Sequence, residues 1–340
     1  MDLTFNSDQE ELLGSIVDCL NGEVPVSRLH EPEATRDEAE LKRLRTLGEL
    51  GWYRISLPED LGGAGLGVAE EVLLFRELGR RLAPASALTS VLGGRTAAAG
   101  GAGELAEEIL SGARTVAFAV PEAPTEIGKE GPQGRVRLFS TGPTDLALLI
   151  TPEAALLLDV SSARSNARPC LDRTLTMRSA ELSEARVLAQ VAGPRTWTHG
   201  ILLMSAWLSG QAEAARDLIN EYAKVRQTFG KLIGSYQAVR HPIAEMAARC
   251  EQLKALLFYA ALAFDEDRAD APMQAAAARA MAQVAAAKND DANIQLHGGI
   301  GVTDDLDAHL YLKRATVYSN WFGGAKQQLK ALLDAPLQEI

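Results

Sequence analysis

Apolar residues recur three and four positions apart through the first third of the chain, which is the spacing of amphipathic helices. From Asp8 to about Gly112 the pattern includes Leu12, Ile16 and Leu20, and glycine or proline separates one predicted helix from the next. We therefore predict a helical N-terminal domain over residues 1–113.

Between residues 114 and 192 the apolar residues form short runs separated by Pro, Gly and Glu, a pattern typical of β-strands. This pattern predicts a small middle β domain, with no helix of ordinary length between Thr115 and Val187. The predicted strands are TVAFAV at Thr115–Val120, VRLFS near Val136, LALLI from Leu146 and AALLLDV from Ala154.

Helical spacing returns after Pro194 and continues over four long stretches. Four such helices predict a C-terminal bundle over residues 193–340. The predicted fold class is therefore mostly α with a small middle β domain. The predicted bundle helices are Ile201–Val225, Tyr236 to about Asp265, Ala271–Leu296 and His309 to about Leu333.

Composition narrows the class of partner. The chain has 340 residues, is 47% hydrophobic and can bury the core of two or three domains. Its net charge of −11, from 45 acidic and 34 basic residues, argues against a nucleic-acid partner, because proteins that bind nucleic acids usually carry a basic surplus. Small anionic ligands remain compatible through local arginines.

The three cysteines, Cys19, Cys170 and Cys250, have no metal-ligand spacing and are odd in number. They predict a reduced, cytoplasmic protein without a metal site. The N-terminus lacks the basic and apolar regions of a signal peptide. The longest apolar run, Ile201–Leu208, is far shorter than the roughly 20 residues that span a bilayer. We therefore predict no membrane span.

Two segments carry the candidate chemistry: YAKVRQTFGKLIGSYQAVRHPIAEM at Tyr222–Met246 and QLHGGIG at Gln295–Gly301. In the first, Arg226 follows a long predicted helix and precedes Phe229. Taken alone, this arginine fits the simpler role of a cation that stabilises a helix C-terminus. A guanidinium also binds two phosphate oxygens in a planar fork, which lysine does not reproduce.

The other residues of these segments suit a nucleotide as well. Gln237 and Gln295 have amides that both donate and accept hydrogen bonds. Gly298 and Gly299 have no side chain to keep a ligand from the backbone. Each signal is weak alone, but their order and spacing together favour a nucleotide diphosphate site.

The chain resembles the acyl-CoA dehydrogenase family over nearly its whole length. Besides the two segments above, LGELGWYRISLPEDLGGAGLG and ELGRRLAPASAL are similar to that family's N-terminal domain. The resemblance implies FAD as the cofactor and an oligomer in which these residues reach across a subunit boundary to the adenosine diphosphate part of a neighbour's FAD. The residues it assigns to this role are Arg226, Phe229, Gln237, Gln295, Gly298 and Gly299.

Other family motifs are changed. Where the family carries the stretches that hold the isoalloxazine ring and the acyl thioester, this chain has VPEAPTEI and RLFSTGPTDLALL. The family's catalytic glutamate must lie in an apolar site that raises its pKa. Phe322 occupies its usual position, and the second family position, near Gly200, also lacks an acid. Asp305 is a weak candidate for the base, since helix N-terminal acids are common for electrostatic reasons.

The resemblance therefore predicts FAD-dependent α,β-desaturation of an acyl-CoA or other acyl thioester, by a subunit that completes the FAD site of a second acyl-CoA dehydrogenase chain. Division of this kind is known in the family for bulky substrates such as steroid side chains. Electron-transfer flavoprotein is a further possible partner. Two alternatives stay open: a self-sufficient homo-oligomer with a different base, and a redox-silent homologue that binds acyl thioesters.

Overall fold

The computed structural model describes residues 4–31, 33–123, 126–128 and 131–335, with residues 33–34 and 126–128 as backbone only. Five helices precede the sheet, in agreement with the predicted N-terminal helical region. None of the described helices is long and apolar enough to cross a membrane. The five are α1 (Ser7–Glu23), α2 (Glu33–Glu49), α3 (Val68–Arg80), α4 (Ser86–Ala99) and α5 (Gly103–Leu110).

A seven-stranded sheet follows, with strand order β7-β8-β4-β1-β5-β6-β9. Neighbouring strands are antiparallel except for β1 and β5, which are parallel with Phe118 opposite Leu148. The strands of this sheet are β1 (Ala117–Pro121), β4 (Arg135–Ser140), β5 (Leu146–Ile150), β6 (Ala154–Asp159), β7 (Ser165–Arg168), β8 (Thr176–Glu181) and β9 (Arg186–Ala192), and the two remaining strands of this region, β2 (Glu126–Gly128) and β3 (Gly131–Gln133), pair as a separate hairpin.

The four strands predicted from apolar runs are β1, β4, β5 and β6, and the structure confirms them. Strand β7 was not predicted because all four of its side chains are exposed, so it carries no apolar pattern. The longest helical segment described between Thr115 and Val187 is the three-residue turn Leu182–Glu184.

The C-terminal helices are α6 (Arg195–Val225), α7 (Gln237–Asp265), α8 (Ala271–His297), α9 (Ala308–Tyr318) and α10 (Ala325–Leu333), and a small hairpin, β10 (Gln227–Thr228) with β11 (Lys231–Leu232), joins α6 to α7. The first three are confirmed as helices, and α6 begins at Arg195, six residues before its predicted start at Ile201. The prediction of one helix from His309 to about Leu333 is wrong, because Phe322 and Gly323 have left-handed backbone φ angles of 56° and 83° and separate α9 from α10.

The chain folds as two compact units, both discontinuous in sequence. One unit combines residues 1–20, 68–82 and 201–340, and the other combines residues 21–67 and 83–200. Within the first unit, α3 and α6 touch backbone to backbone: a Cβ on Gly210 would lie 1.8 Å from the carbonyl oxygen of Arg76. The predicted boundaries after residues 113 and 192 stay predictions.

Candidate functional site

Three helix ends meet at one end of the bundle. Helix α6 ends there, α7 begins there after the β10–β11 hairpin, and α8 ends there. An apolar cluster holds these ends together. Its fully buried members are Ala215 and Ile219 from α6 and Met246 from α7. Partly buried apolar side chains of α6, α7 and α8 pack against it: Tyr222, Ile243, Ala292 and Leu296.

The hairpin that follows Arg226 has a fixed backbone. The amide of Ile233 donates to the Arg226 carbonyl at 2.9 Å, which closes the hairpin at its base. The Tyr236 hydroxyl donates to the Thr228 carbonyl at 3.0 Å. Phe229 and Gly230 form the tip, with φ angles of 50° and 75°. A left-handed φ is costly for phenylalanine, so the surrounding bonds hold this side chain in an unfavourable backbone conformation.

The glycine turn lies at the end of α8. Gly298 has φ 70° and ψ −148°, a conformation that is essentially restricted to glycine. A Cβ built on Gly298 or Gly299 would meet no atom within 4 Å, and both residues are exposed. The backbone of this turn is therefore open to a ligand. Gly301 differs, because a Cβ there would lie 2.6 Å from the Ile294 carbonyl oxygen, which makes it a packing residue.

The three polar side chains predicted to hold the cofactor, those of Arg226, Gln237 and Gln295, are all exposed at this end. None of them bonds through its side chain to a residue that the structure describes. An arginine with unengaged donors, two free amides and an open glycine turn fit a nucleotide diphosphate in charge and hydrogen-bonding capacity. Six residues predicted from two separate segments are thus brought to one end of the bundle.

Exposed apolar side chains accompany these polar groups. Phe229 is 97% exposed, Val225 72% and Val302 67%. Together with the less exposed Leu232 and Ile300 they are exposed apolar residues of the α6 end, the hairpin and the glycine turn, and we name this set the apolar collar. Apolar patches of this kind in soluble proteins mark sites of contact with a partner or ligand.

A groove of about 900 Å³ lies between α6 and α7 beside the hairpin. The sequence motifs did not point to the basic side chains of this groove, which are those of Arg216, Lys224 and Arg240. Arg216 pairs with Asp217 at 2.7 Å, and Lys224 pairs with Glu221 at 2.6 Å. Arg240 is exposed and bonds through its side chain to no residue within the described ranges. The sequence signal for this groove is the placement of Arg216 and Lys224 near the end of α6 and of Arg240 near the start of α7.

The turn that carries Phe322 is fixed by three buried polar side chains. Arg279 donates to the carbonyls of Tyr318 at 2.6 Å and Trp321 at 2.8 Å. Gln283 donates to Ser319 at 2.6 Å, and Gln328 donates to the Phe322 carbonyl at 2.6 Å. Burial lowers the pKa of Arg279 to about 9. The carbonyls at the end of α9 stabilise its charge, because a helix C-terminus favours a cation.

Phe322 itself is 3% exposed. Its side chain is therefore part of the packed interior, and the hydrogen bonds to the surrounding backbone keep it there. This position holds no group that accepts a proton. The weak alternative, Asp305, is exposed in the turn before α9. It lacks the buried, apolar surroundings of a catalytic carboxylate, and the neighbouring Asp304 contacts His309 at 3.4 Å.

The two changed segments of the sheet region differ in how much of them is described. In VPEAPTEI, Pro124 and Thr125 lie outside the described residues. In RLFSTGPTDLALL two hydroxyls bond to backbone carbonyls of their own unit. The Ser140 hydroxyl donates to the Gly142 carbonyl at 2.7 Å, and that of Thr144 donates to the Thr115 carbonyl at 2.6 Å. The Ser140 and Thr144 hydroxyls are therefore committed to backbone bonds near the sheet, whereas the buried Thr141 hydroxyl has no hydrogen-bond partner within the described residues.

Comparison with known proteins agrees with this architecture. The family model for the acyl-CoA dehydrogenase N-terminal domain matches residues 6–115, and the model for the C-terminal domain matches residues 195–335. The chain therefore belongs to the acyl-CoA dehydrogenase family, a class of flavoprotein oxidoreductases. Family membership indicates FAD as the cofactor, as the resemblance predicted.

Particular relatives come from Mycobacterium tuberculosis. The chain is 32% identical to acyl-CoA dehydrogenase FadE34 over 84% of its own length but spans only 40% of that relative. It is 30% identical to acyl-CoA dehydrogenase IpdE2, over 78% of this chain and 77% of the relative. A crystal structure of the ChsE4-ChsE5 complex superposes with a TM-score of 0.84 at 25% identity, covering 99% of this chain and 100% of that one.

Proposed function

We propose that this chain is a subunit of a hetero-oligomeric acyl-CoA dehydrogenase and completes the FAD site of a second, catalytically equipped chain. The observation that carries the proposal is the exposed end of the bundle, where unengaged Arg226 lies beside Phe229, which is 97% exposed. A nucleotide-binding surface bordered by bare apolar side chains is half of a site. The other half comes from another chain.

Each predicted residue has a role that its position supports. The Arg226 guanidinium binds diphosphate oxygens, and the amides of Gln237 and Gln295 bond to the nucleotide and its ribose. The Gly298–Gly299 backbone approaches the same ligand without steric hindrance. FAD bound there supplies the hydride acceptor for α,β-desaturation of an acyl thioester. The collar excludes water from the joint once a partner covers it.

Phe322 explains why a second chain is required. Removal of the α-proton needs a carboxylate at the acyl thioester, and the position that holds it in many family members is here a buried, clamped phenylalanine. The partner would supply this base and the isoalloxazine-binding residues. The ChsE4-ChsE5 structure is described as a complex of two differently named chains, which supports a division of this kind.

Co-purification with a second acyl-CoA dehydrogenase chain from the same organism that carries the catalytic glutamate tests the proposal. We expect the isolated chain to retain little FAD and to show no turnover, and the complex to contain flavin, visible in its absorption spectrum. Full FAD occupancy with dehydrogenase turnover by the isolated chain would instead support the self-sufficient homo-oligomer. Acyl-CoA binding without flavin absorbance, even in the complex, would support the redox-silent homologue.

Arg226→Ala is the specific variant for the assigned site. Loss of a charge-assisted, bidentate phosphate contact costs about 1.5–3 kcal/mol of binding free energy. We therefore expect the dissociation constant of FAD from the complex to rise at least tenfold. Arg226→Lys should recover only part of this affinity, because lysine lacks the planar fork. The matched control is Arg240→Ala, which removes an exposed, unengaged arginine of the neighbouring groove. Unchanged flavin retention in Arg226→Ala would remove the assigned role.

A further inference from the structure

One aromatic contact joins the two segments that carry the predicted cofactor residues. The rings of Tyr222 and His297 lie 4.5 Å apart between centroids, with an interplanar angle of 39°. Tyr222 is on the last turn of α6, and the amide of Arg226 donates to its carbonyl at 2.9 Å. His297 directly precedes Gly298. The contact therefore lies one helical turn from the arginine and one residue from the glycine turn.

Both rings are fixed by further contacts. The Nδ1 atom of His297 is 2.7 Å from the Asn293 carbonyl oxygen, and since that oxygen only accepts, Nδ1 carries the proton. Burial lowers the pKa of His297, which favours the neutral ring. Tyr222 packs against the apolar cluster of α6, α7 and α8. Neither ring is free to shift without disturbing a hydrogen bond or the cluster.

We infer that Tyr222 and His297 are positioning residues of the cofactor site, whose ring contact sets the spacing between the Arg226 guanidinium and the Gly298–Gly299 turn. The inference rests on the proposed function, because it assumes that both elements hold one nucleotide. A ligand that contacts both ends binds best when the two ends are already held at the matching spacing, because less free energy is then spent on ordering the site. The two rings thus act on FAD through other residues, without needing to touch it.

Variants of Tyr222 separate this role from ordinary packing. Tyr222→Leu removes the ring contact, whereas Tyr222→Phe keeps the ring and loses only the hydroxyl. In the complex with its partner, we expect Tyr222→Leu to raise the dissociation constant of FAD about tenfold and Tyr222→Phe to stay within twofold of the wild type. The matched control is Phe258→Leu, which removes a buried ring that contacts Phe5 far along α7. It should lower the melting temperature of the flavin-free complex without this loss of FAD affinity.

A double-mutant cycle with Arg226→Ala supplies a readout that packing alone does not move. If the rings act by placing the arginine, Tyr222→Leu should weaken FAD binding by at most about threefold once Arg226 is already alanine. Equal losses in both backgrounds, or a loss no larger than that of Phe258→Leu, would overturn the positioning role. If Arg226→Ala itself leaves FAD affinity unchanged, the proposed function fails instead, so the two failures are distinguishable.

Discussion

At the scale of single residues, the bundle interior contains polar groups that a packed core usually avoids. Asp290 on α8 is fully buried, and neither of its carboxylate oxygens has a hydrogen-bond partner within the described residues. Burial raises its pKa well above the ordinary value. An isolated buried carboxylate is far more costly ionised than protonated, so burial favours the neutral form of Asp290 in the native state.

This protonation makes stability depend on pH in a defined direction. The unfolded chain releases the proton at a pH near 4, whereas the native state keeps it to much higher pH, so stability falls as pH rises above about 4. Asp290→Asn keeps the shape and removes the titration. We expect it to raise the free energy of unfolding by about 1 kcal/mol or more at pH 7.5, with the gain shrinking towards pH 4.5.

Urea unfolding followed by circular dichroism at both pH values measures the difference. Asp291→Asn is the matched control, because Asp291 is the exposed neighbour on the same helix, and its substitution should change little. A less stable Asp290→Asn variant at pH 7.5 would show instead that the ionised carboxylate stabilises the native state.

At the scale of elements, the helix pair α3–α6 depends on two glycines that bring the backbones into contact. A Cβ on Gly79 would lie 2.0 Å from the Trp207 carbonyl oxygen, and one on Gly210 would lie 1.8 Å from that of Arg76. Beside this crossing, Arg76 and Glu213 form a buried ion pair at 3.0 Å. Any side chain at the crossing would separate the helices and lengthen this pair.

Gly210→Ala should therefore destabilise the protein by about 2–4 kcal/mol, through overpacking and strain on the buried ion pair. Thermal unfolding of the variant measures the loss. Gly14→Ala is the control, since a Cβ at this helical position meets nothing within 4 Å and alanine has the higher helix propensity. Equal melting temperatures for the two variants would contradict the close α3–α6 contact.

Elements with strong periodicity were predictable from the sequence, and those fixed by distant contacts were not. Helices α6 to α8 agree with the prediction because their apolar stripes are long and regular. The break between α9 and α10 was missed because the left-handed turn at Phe322 is held by Arg279 and Gln283, which lie on another helix. The Gly323–Gly324 pair is a local signal for a helix break, but the sequence of the turn does not show the bonds that hold Phe322 in a left-handed conformation.

At the scale of the whole molecule, the residues of the candidate site and their reach towards a neighbouring subunit were predicted from motifs, but the contact that joins their two helix ends was not. Sequence order placed Arg226 at one helix end and Gln295 at another. It did not show that a ring contact between Tyr222 and His297 brings the two ends together, because this contact joins residues far apart in the chain. Nor did it show that Phe229 would be almost wholly bare.

The exposure of Phe229 leads to a prediction about assembly. Because this side chain makes almost no contact within its own chain, Phe229→Ser should leave the melting temperature of the isolated chain unchanged. If the apolar collar is covered by the partner subunit, the same change should weaken the complex at least tenfold, which corresponds to about 1.4 kcal/mol. Light scattering after size exclusion, at several concentrations of the mixed subunits, measures this affinity.

Leu333→Ser is the control, because Leu333 is 85% exposed on α10 and lies outside the collar. Wild-type affinity for Phe229→Ser, or an equal loss for both variants, would show that the collar does not form the joint between subunits.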